Sequence, residues 1–241
     1  MISIYLKELK SLFNSLIAYL VIGIFLTGIG LYVWVFSPNI FEVEEADLSL
    51  VFQVTPYVFM FLIPAVTMRT FSEELKEGTL ELLLTKPLSE WQLVLGKYFA
   101  SVSLVLVALL PTLIYFFSVY HLGNPVGNID IARAVGSYCG LILLAFAFTS
   151  IGIWTSSLTE NQIVAFILSG FISLMLYEGL QYLGNLLPDG YVGFFIGEMS
   201  LANHYNGLSI GVLDTRNILF LISISIFFLA LARVKLLMRK W

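Results

Sequence analysis

Apolar residues in this chain come in long blocks separated by short polar stretches, not in the alternation expected of strands. Residues 16–36, 50–68, 93–120, 131–154, 162–182 and 217–234 are each mostly apolar, over about the 20 residues that a helix needs to cross hydrocarbon. Ahead of the first block the pattern changes. Ile2, Tyr5, Leu6, Leu9 and Phe13 recur at helical spacing opposite Ser3, Lys7, Lys10 and Ser11, which predicts a helix lying in the membrane interface. The first block exceeds the roughly 7 to 15 apolar residues of a signal peptide, and Ser37-Pro38-Asn39 follows it, so no cleaved leader is expected. Pro56 and Pro64 predict kinks in the second span and Pro111 in the third. Gly23, Gly28 and Gly30 predict close helix approach along the first.

Residues 69–100 form the longest charge-bearing interruption. Its front half carries Glu73, Glu74, Lys76, Glu77 and Glu81, a run that cannot lie in hydrocarbon and reads as a short amphipathic helix between spans two and three. Thr70 with Glu73, or Ser72 alone, could cap that helix. Gly78 breaks or bends it, Leu80, Leu82, Leu83 and Leu84 follow as an apolar patch, and Pro87 closes the segment. Ser89 with Gln92 has the spacing of a capping box that starts span three, with Trp91 at its mouth and Lys97 farther in. Thr159 with Gln162 repeats that spacing ahead of span five. Residues 184–216 are too polar and glycine-broken to cross again. Their apolar pieces, 191–196 and 208–213, predict re-entrant or interfacial helices.

Composition agrees with the pattern. A chain that is 59% hydrophobic and 12% charged, with mean hydropathy +0.93, is a polytopic membrane protein of all-α class. The net charge of −4 gives no basic footprint for nucleic acid. One cysteine, Cys139, excludes an internal disulfide or thiolate cluster, and with only His121 and His204 a histidine metal site is not expected. No cofactor is expected. Gly96-Lys97 lacks the glycine spacing of a phosphate loop, and no GxSxG or HExxH occurs, so neither ATP binding nor membrane-enzyme chemistry is expected of this chain.

Lysine and arginine set the orientation. With six spans, Lys7, Lys10, Arg69, Lys76, Lys86, Lys97, Arg233, Lys235, Arg239 and Lys240 share one face and only Arg133 and Arg216 the other. The positive-inside rule then puts both termini in the cytoplasm, and the acidic loop with Glu42, Glu44, Glu45 and Asp47 outside. Glu178 is the one ionisable residue well inside a span. A carboxylate reaching the outer interface or bonding a neighbouring helix ranks ahead of a proton relay. No polar pathway is visible along the spans.

The N-terminal KELKSLFNSLIAYL and the stretch MRTFSEELKEGTLELLLTKPLSEWQLVLGKY resemble the ABC-2 type transporter permease family, whose members carry an acidic stretch, Gly-Thr, a leucine-rich turn, a proline and Gly-Lys after the second span. The resemblance covers essentially the whole chain, 1–241, as a single transmembrane domain. It is strongest to the gliding-motility-associated permeases, including HYNGLSIGVLDTRNILFL before the last span. It implies a non-catalytic subunit in the bacterial inner membrane, pairing with a separate ATP-binding cassette subunit and a second membrane subunit. It further implies docking of that ATPase on Glu73, Glu74, Lys76, Glu77, Gly78, Thr79 and Glu81. The N-terminal interfacial helix, with Tyr5, Lys7, Lys10 and Phe13, would share in passing on the motion. The alternatives are a self-sufficient secondary transporter, which would want paired charges or broken helices near the midplane, and a non-transporting membrane scaffold.

Overall fold

The computed structural model describes residues 1–37, 39–43, 46–84, 89–187 and 190–238, and their regular structure is helical. In chain order the helices are α1 (Ile2–Phe13), α2 (Leu16–Trp34), α3 (Ile40–Val43), α4 (Ser49–Thr67), α5 (Arg69–Lys76), α6 (Thr79–Leu84), α7 (Glu90–Leu109), α8 (Leu113–Leu122), α9 (Ile131–Leu158), α10 (Gln162–Leu174), α11 (Leu180–Leu186), α12 (Tyr191–Glu198), α13 (Leu201–Ser209) and α14 (Thr215–Met238). Among the described residues six segments are long and apolar enough to cross a membrane: α2, α4 with α5, α7 with α8, α9, α10 with α11, and α14. The fold is an all-α polytopic membrane bundle. Helix α1 and the last turns of α14 lie at one end of it, called the base here; the other end is the crown. Pro38, Glu44, Glu45, Lys86, Pro87, Arg239, Lys240 and the side chains of Leu82, Leu83 and Leu84 fall outside the described residues, and with them the expected apolar patch after Leu80.

The central helix is α9, against which α4, α7, α10, α13 and α14 all pack. In a bilayer no hydrophobic force draws helices together, so their association rests on close packing, which small residues permit. Three glycines of α9 show how close. A Cβ at Gly152 would lie 2.1 Å from Thr67 Oγ1, one at Gly136 2.6 Å from the Leu208 carbonyl, and one at Gly140 3.1 Å from the Tyr205 ring. The first span behaves otherwise. Gly30 meets Tyr115 Oη at 3.1 Å, but no atom lies within 4 Å of a Cβ at Gly23 or Gly28, because α2 turns that face out of the bundle. The expected close approach therefore holds at one glycine of the three.

The prolines are absorbed in different ways. At Pro111 the third span tightens into a 3₁₀ turn, Leu110–Thr112. At Pro56 the missing N–H frees the carbonyl of Phe52, and Tyr205 on α13 donates its phenol proton there at 2.8 Å. Burial holds that phenol well above its ordinary pKa, so it stays a donor. A defect in one helix is thus satisfied by a side chain about 150 residues away.

Helix starts depend on details that spacing alone does not reveal. Ser89 and Gln92 do form the capping box. Thr70 and Ser72 cap nothing: Met68 keeps right-handed helical angles (φ −53°, ψ −30°), so α5 continues from α4 and has no free first turn to cap. The charged segment is an extension of span two rather than a separate helix. At span five the cap is Asn161, whose side chain accepts from the Ile163 amide at 2.9 Å, while Thr159 accepts from the Asn161 amide at 3.1 Å. The helix begins after Thr159 has already served the turn. At the crown the second short helix is Leu201–Ser209, not residues 208–213: Ser200 caps it, and Gly211 at φ +90° ends it.

Candidate coupling site at the base of the bundle

At the base, polar contacts tie helix α5 directly to α9 and, through Lys97, to α7 and α1. Against α9, the Ser156 hydroxyl accepts from the Phe71 amide at 3.0 Å and the Ser72 amide at 3.1 Å, and donates to the Met68 carbonyl at 3.0 Å. Ser72 Oγ returns a bond to the Ser156 carbonyl at 3.1 Å. Both serines are fully buried. Apolar packing of Phe71, Leu75 and Leu80 against Leu93, Val94 and Leu236 surrounds this knot.

The contact with α7 and α1 is ionic. Lys97, only 1% exposed, donates to the Thr70 carbonyl at 2.6 Å, to Glu74 Oε1 at 2.8 Å and to Glu8 Oε1 at 3.2 Å. Its ammonium also lies 5.1 Å from the centre of the Phe71 ring. One cation therefore ties together α1, α5 and α7. Burying an ammonium is costly unless it is paired and its protons satisfied, and here all three protons have oxygen partners. The triad can form because α1 lies close along α7: a Cβ at Gly96 would be 2.9 Å from Ile4, and Tyr5 Oη bonds Ser103 Oγ at 3.0 Å.

Only part of the apolar face of α1 meets the bundle. Its inward side is Ile4, Tyr5, Glu8 and Leu12, while Ile2 (72% exposed) and Leu6 (47%) point away. The helix has two apolar edges, and simple periodicity merges them. Lys7 and Lys10 are exposed and Phe13 is half-buried.

The seven residues of the charged stretch separate into two sets. Glu73, Lys76, Glu77, Gly78 and Glu81 are exposed. Glu74 points inward to Lys97 and Thr79 is half-buried, its hydroxyl reaching the Glu74 carbonyl at 3.5 Å. Leu80 is buried within the chain's own core. The turn between α5 and α6 is made by Gly78 at φ +68°, where a Cβ would meet open space, so only backbone strain argues for glycine. The result is an acidic elbow, three carboxylates against one ammonium, projecting from a helix that is anchored on its other faces. Glu8, Ser156 and Gly152 do not stand out in the sequence. Their signals, one acidic residue in a basic amphipathic helix and small residues late in an apolar span, are too common to stand out.

Glu178 lies near the crown, accepting a hydrogen bond from Tyr57 on α4, so bonding to a neighbouring helix is what the structure shows. It sits on a π turn, Met175–Gly179, that interrupts span five between α10 and α11.

No curated protein matches the sequence. The family model of ABC-2 family transporter proteins matches residues 3–192, which takes in α1, the ionic triad, the acidic elbow and the first five spans. The chain belongs to the ABC-2 transporter family and is a multi-pass membrane permease of that kind.

Proposed function

We propose that this chain is the membrane subunit of an ATP-driven ABC transporter, and that the acidic elbow is where a separate ATP-binding cassette subunit docks. The carrying observation is the contrast within one short segment, α5 with the turn into α6: Glu73, Lys76, Glu77 and Glu81 are exposed, while α5 is bonded to α9 through Ser156 and, through Lys97, to α1 and α7. A displacement applied at the elbow therefore loads four helices together. Gly78 and Thr79 shape the turn; Glu74 acts from inside, by anchoring the elbow. The subunit works in a pair of membrane subunits, identical or not, since closed two-fold assembly is the commonest arrangement. It lies in a bacterial inner membrane with base and termini cytoplasmic, as the lysine and arginine census supports. The sequence resemblance supports gliding motility as its setting. Catalysis then resides in the partner, and this chain converts nucleotide-driven closure into movement of its spans.

The test is charge reversal at the exposed positions alone, Glu73→Lys, Glu77→Lys and Glu81→Lys together, in cells that also express the genes beside this one on the chromosome. Exposed pairs contribute about 0.2–1 kcal/mol each, so losing and inverting three should weaken co-purification of the ATPase strongly, more so at low salt. The variant should insert and fold normally. A variant that retains its ATPase and its transport would refute the docking assignment.

A further inference from the structure

At the crown, α4, α9, the π turn and α13 surround a cavity of about 490 Å³, within the roughly 300–1,000 Å³ range of small-molecule sites. Its walls bring together polar residues from four separate segments: Gln53, Tyr57, Arg133, Glu178, Gln181 and Asn206. A sequence in which these are scattered over 150 residues shows no polar path; the fold collects them in one place. Among the described residues, Glu178 is the one carboxylate on the lining. Tyr57 donates to its Oε1, and among the described residues no cation lies within ion-pair distance of it. The lining does contain a cation, Arg133, but Asp47 already holds its guanidinium at 2.9 Å. The carboxylate is therefore placed in a membrane span without a counter-charge, an expensive arrangement for a group with no task.

The surrounding side chains indicate what would complete it. The Tyr57 and Tyr177 rings meet edge to face with centroids 5.9 Å apart, and Tyr205 lies 6.5 Å beyond Tyr177. Phe52 closes another side. Aromatic faces beside a carboxylate attract a positive charge through the ring quadrupole and neutralise it through the acid. The backbone is arranged to hold them there: the π turn that carries Tyr177 and Glu178 is pinned by Ser200, which donates to the Tyr177 carbonyl. Such turns occur often at functional sites.

We propose that this cavity binds an organic ammonium group, with Glu178 as its counter-ion and Tyr57 and Tyr177 as the aromatic walls. A soluble amine and the headgroup of an ethanolamine or choline lipid present the same chemistry. The test uses the subunit purified with whatever partners it carries, in nanodiscs of phosphatidylglycerol, which has no ammonium group. Choline and spermidine are titrated without nucleotide, so the outcome is independent of ATPase docking. Saturable binding of at least one is expected, weakened about tenfold or more by Glu178→Gln and changed no more than about twofold by Arg133→Gln, since that cation is already paired. Should Glu178→Gln fail to fold, Tyr177→Leu serves instead, with an expected loss of about threefold. Replacing half of the lipid by phosphatidylethanolamine identifies the source: competition with the soluble amine means a headgroup, and its absence a soluble ligand. Binding by neither amine, or equal binding by the parent and the variant tested, overturns the proposal and leaves Glu178 only a hydrogen-bond acceptor for Tyr57.

Discussion

Replacing Lys97 by Met tests whether the base is held together by one buried cation. The side chain stays unbranched, about one atom shorter, and loses its charge, so Thr70 O, Glu74 Oε1 and Glu8 Oε1 lose a donor at 2.6, 2.8 and 3.2 Å. Removing one partner of a buried ion pair costs about 3–5 kcal/mol because the other charge is stranded. Here two carboxylates are stranded, but both lie near the edge of the bundle, 14% and 13% exposed for Glu8 and Glu74. They can recover some water or take up protons, which places the cost near the lower end, about 3 kcal/mol. For a chain of this size, each kcal/mol lowers the melting temperature by about 2–4 °C, giving a drop of roughly 6–12 °C. The assay is thermal unfolding of the purified protein in one detergent, followed by tryptophan fluorescence. A triple variant, Glu8→Leu, Glu74→Leu and Lys97→Met, should recover most of the loss, since an apolar cluster replaces a satisfied ionic one at little net cost. Raising the salt concentration should change the Lys97→Met deficit little, because buried charges are poorly screened. A Lys97→Met protein that melts within about 2 °C of the parent, at most about 1 kcal/mol by the same conversion, would refute the triad as a stabilising tie.

Three further outcomes follow from the same contacts. Ser156→Ala leaves the buried amides of Phe71 and Ser72 without their acceptor and should cost about 1–3 kcal/mol; an unchanged melting temperature would mean that water or Ser72 takes its place. Gly152→Ala would put a methyl 2.1 Å from Thr67 Oγ1 and should cost about 1–3 kcal/mol, part of it recovered by adding Thr67→Ala, as a double-mutant cycle in melting experiments would reveal. With Cys139 replaced, a cysteine at Glu44 should react with an impermeant thiol reagent on intact cells and one at Glu77 should not; the reverse labelling would invert the proposed orientation.

Much of the bundle can be read from one dimension. A span declares itself because hydrocarbon tolerates only an apolar helix with every backbone group satisfied, and that constraint acts on each block of residues alone. The break at Pro111, the capping box at Ser89 and Gln92, and the turn at Gly78 are likewise set by groups within a few residues of one another. The exposed half of the elbow belongs to this class, since a dense run of charges has to leave the membrane. Where a nearby alternative competes, local reading falters. Thr70 and Ser72 have the chemistry of caps, but Met68 stays helical and Ser72 is claimed by Ser156, 84 residues away. Asn161 displaces Thr159 and Gln162 for a similar reason, the chain's path into α10 deciding which oxygen faces the free amides.

The tertiary structure decides what the long-range contacts do with those pieces. Nothing in the neighbourhood of Glu8, Glu74 or Lys97 indicates that they meet; they do so because α1 lies close along α7 at Gly96 while α5 extends from span two beside both. The same holds for Tyr205, whose partner is a carbonyl freed by Pro56, and for the crown cavity, whose polar walls come from four separate segments. A buried charge or a kinked helix is unfavourable on its own and becomes acceptable only when another segment supplies the missing bond. Sequence can therefore show that such a residue needs a partner, as it does for Glu178, but only the packed bundle supplies one or leaves the place open.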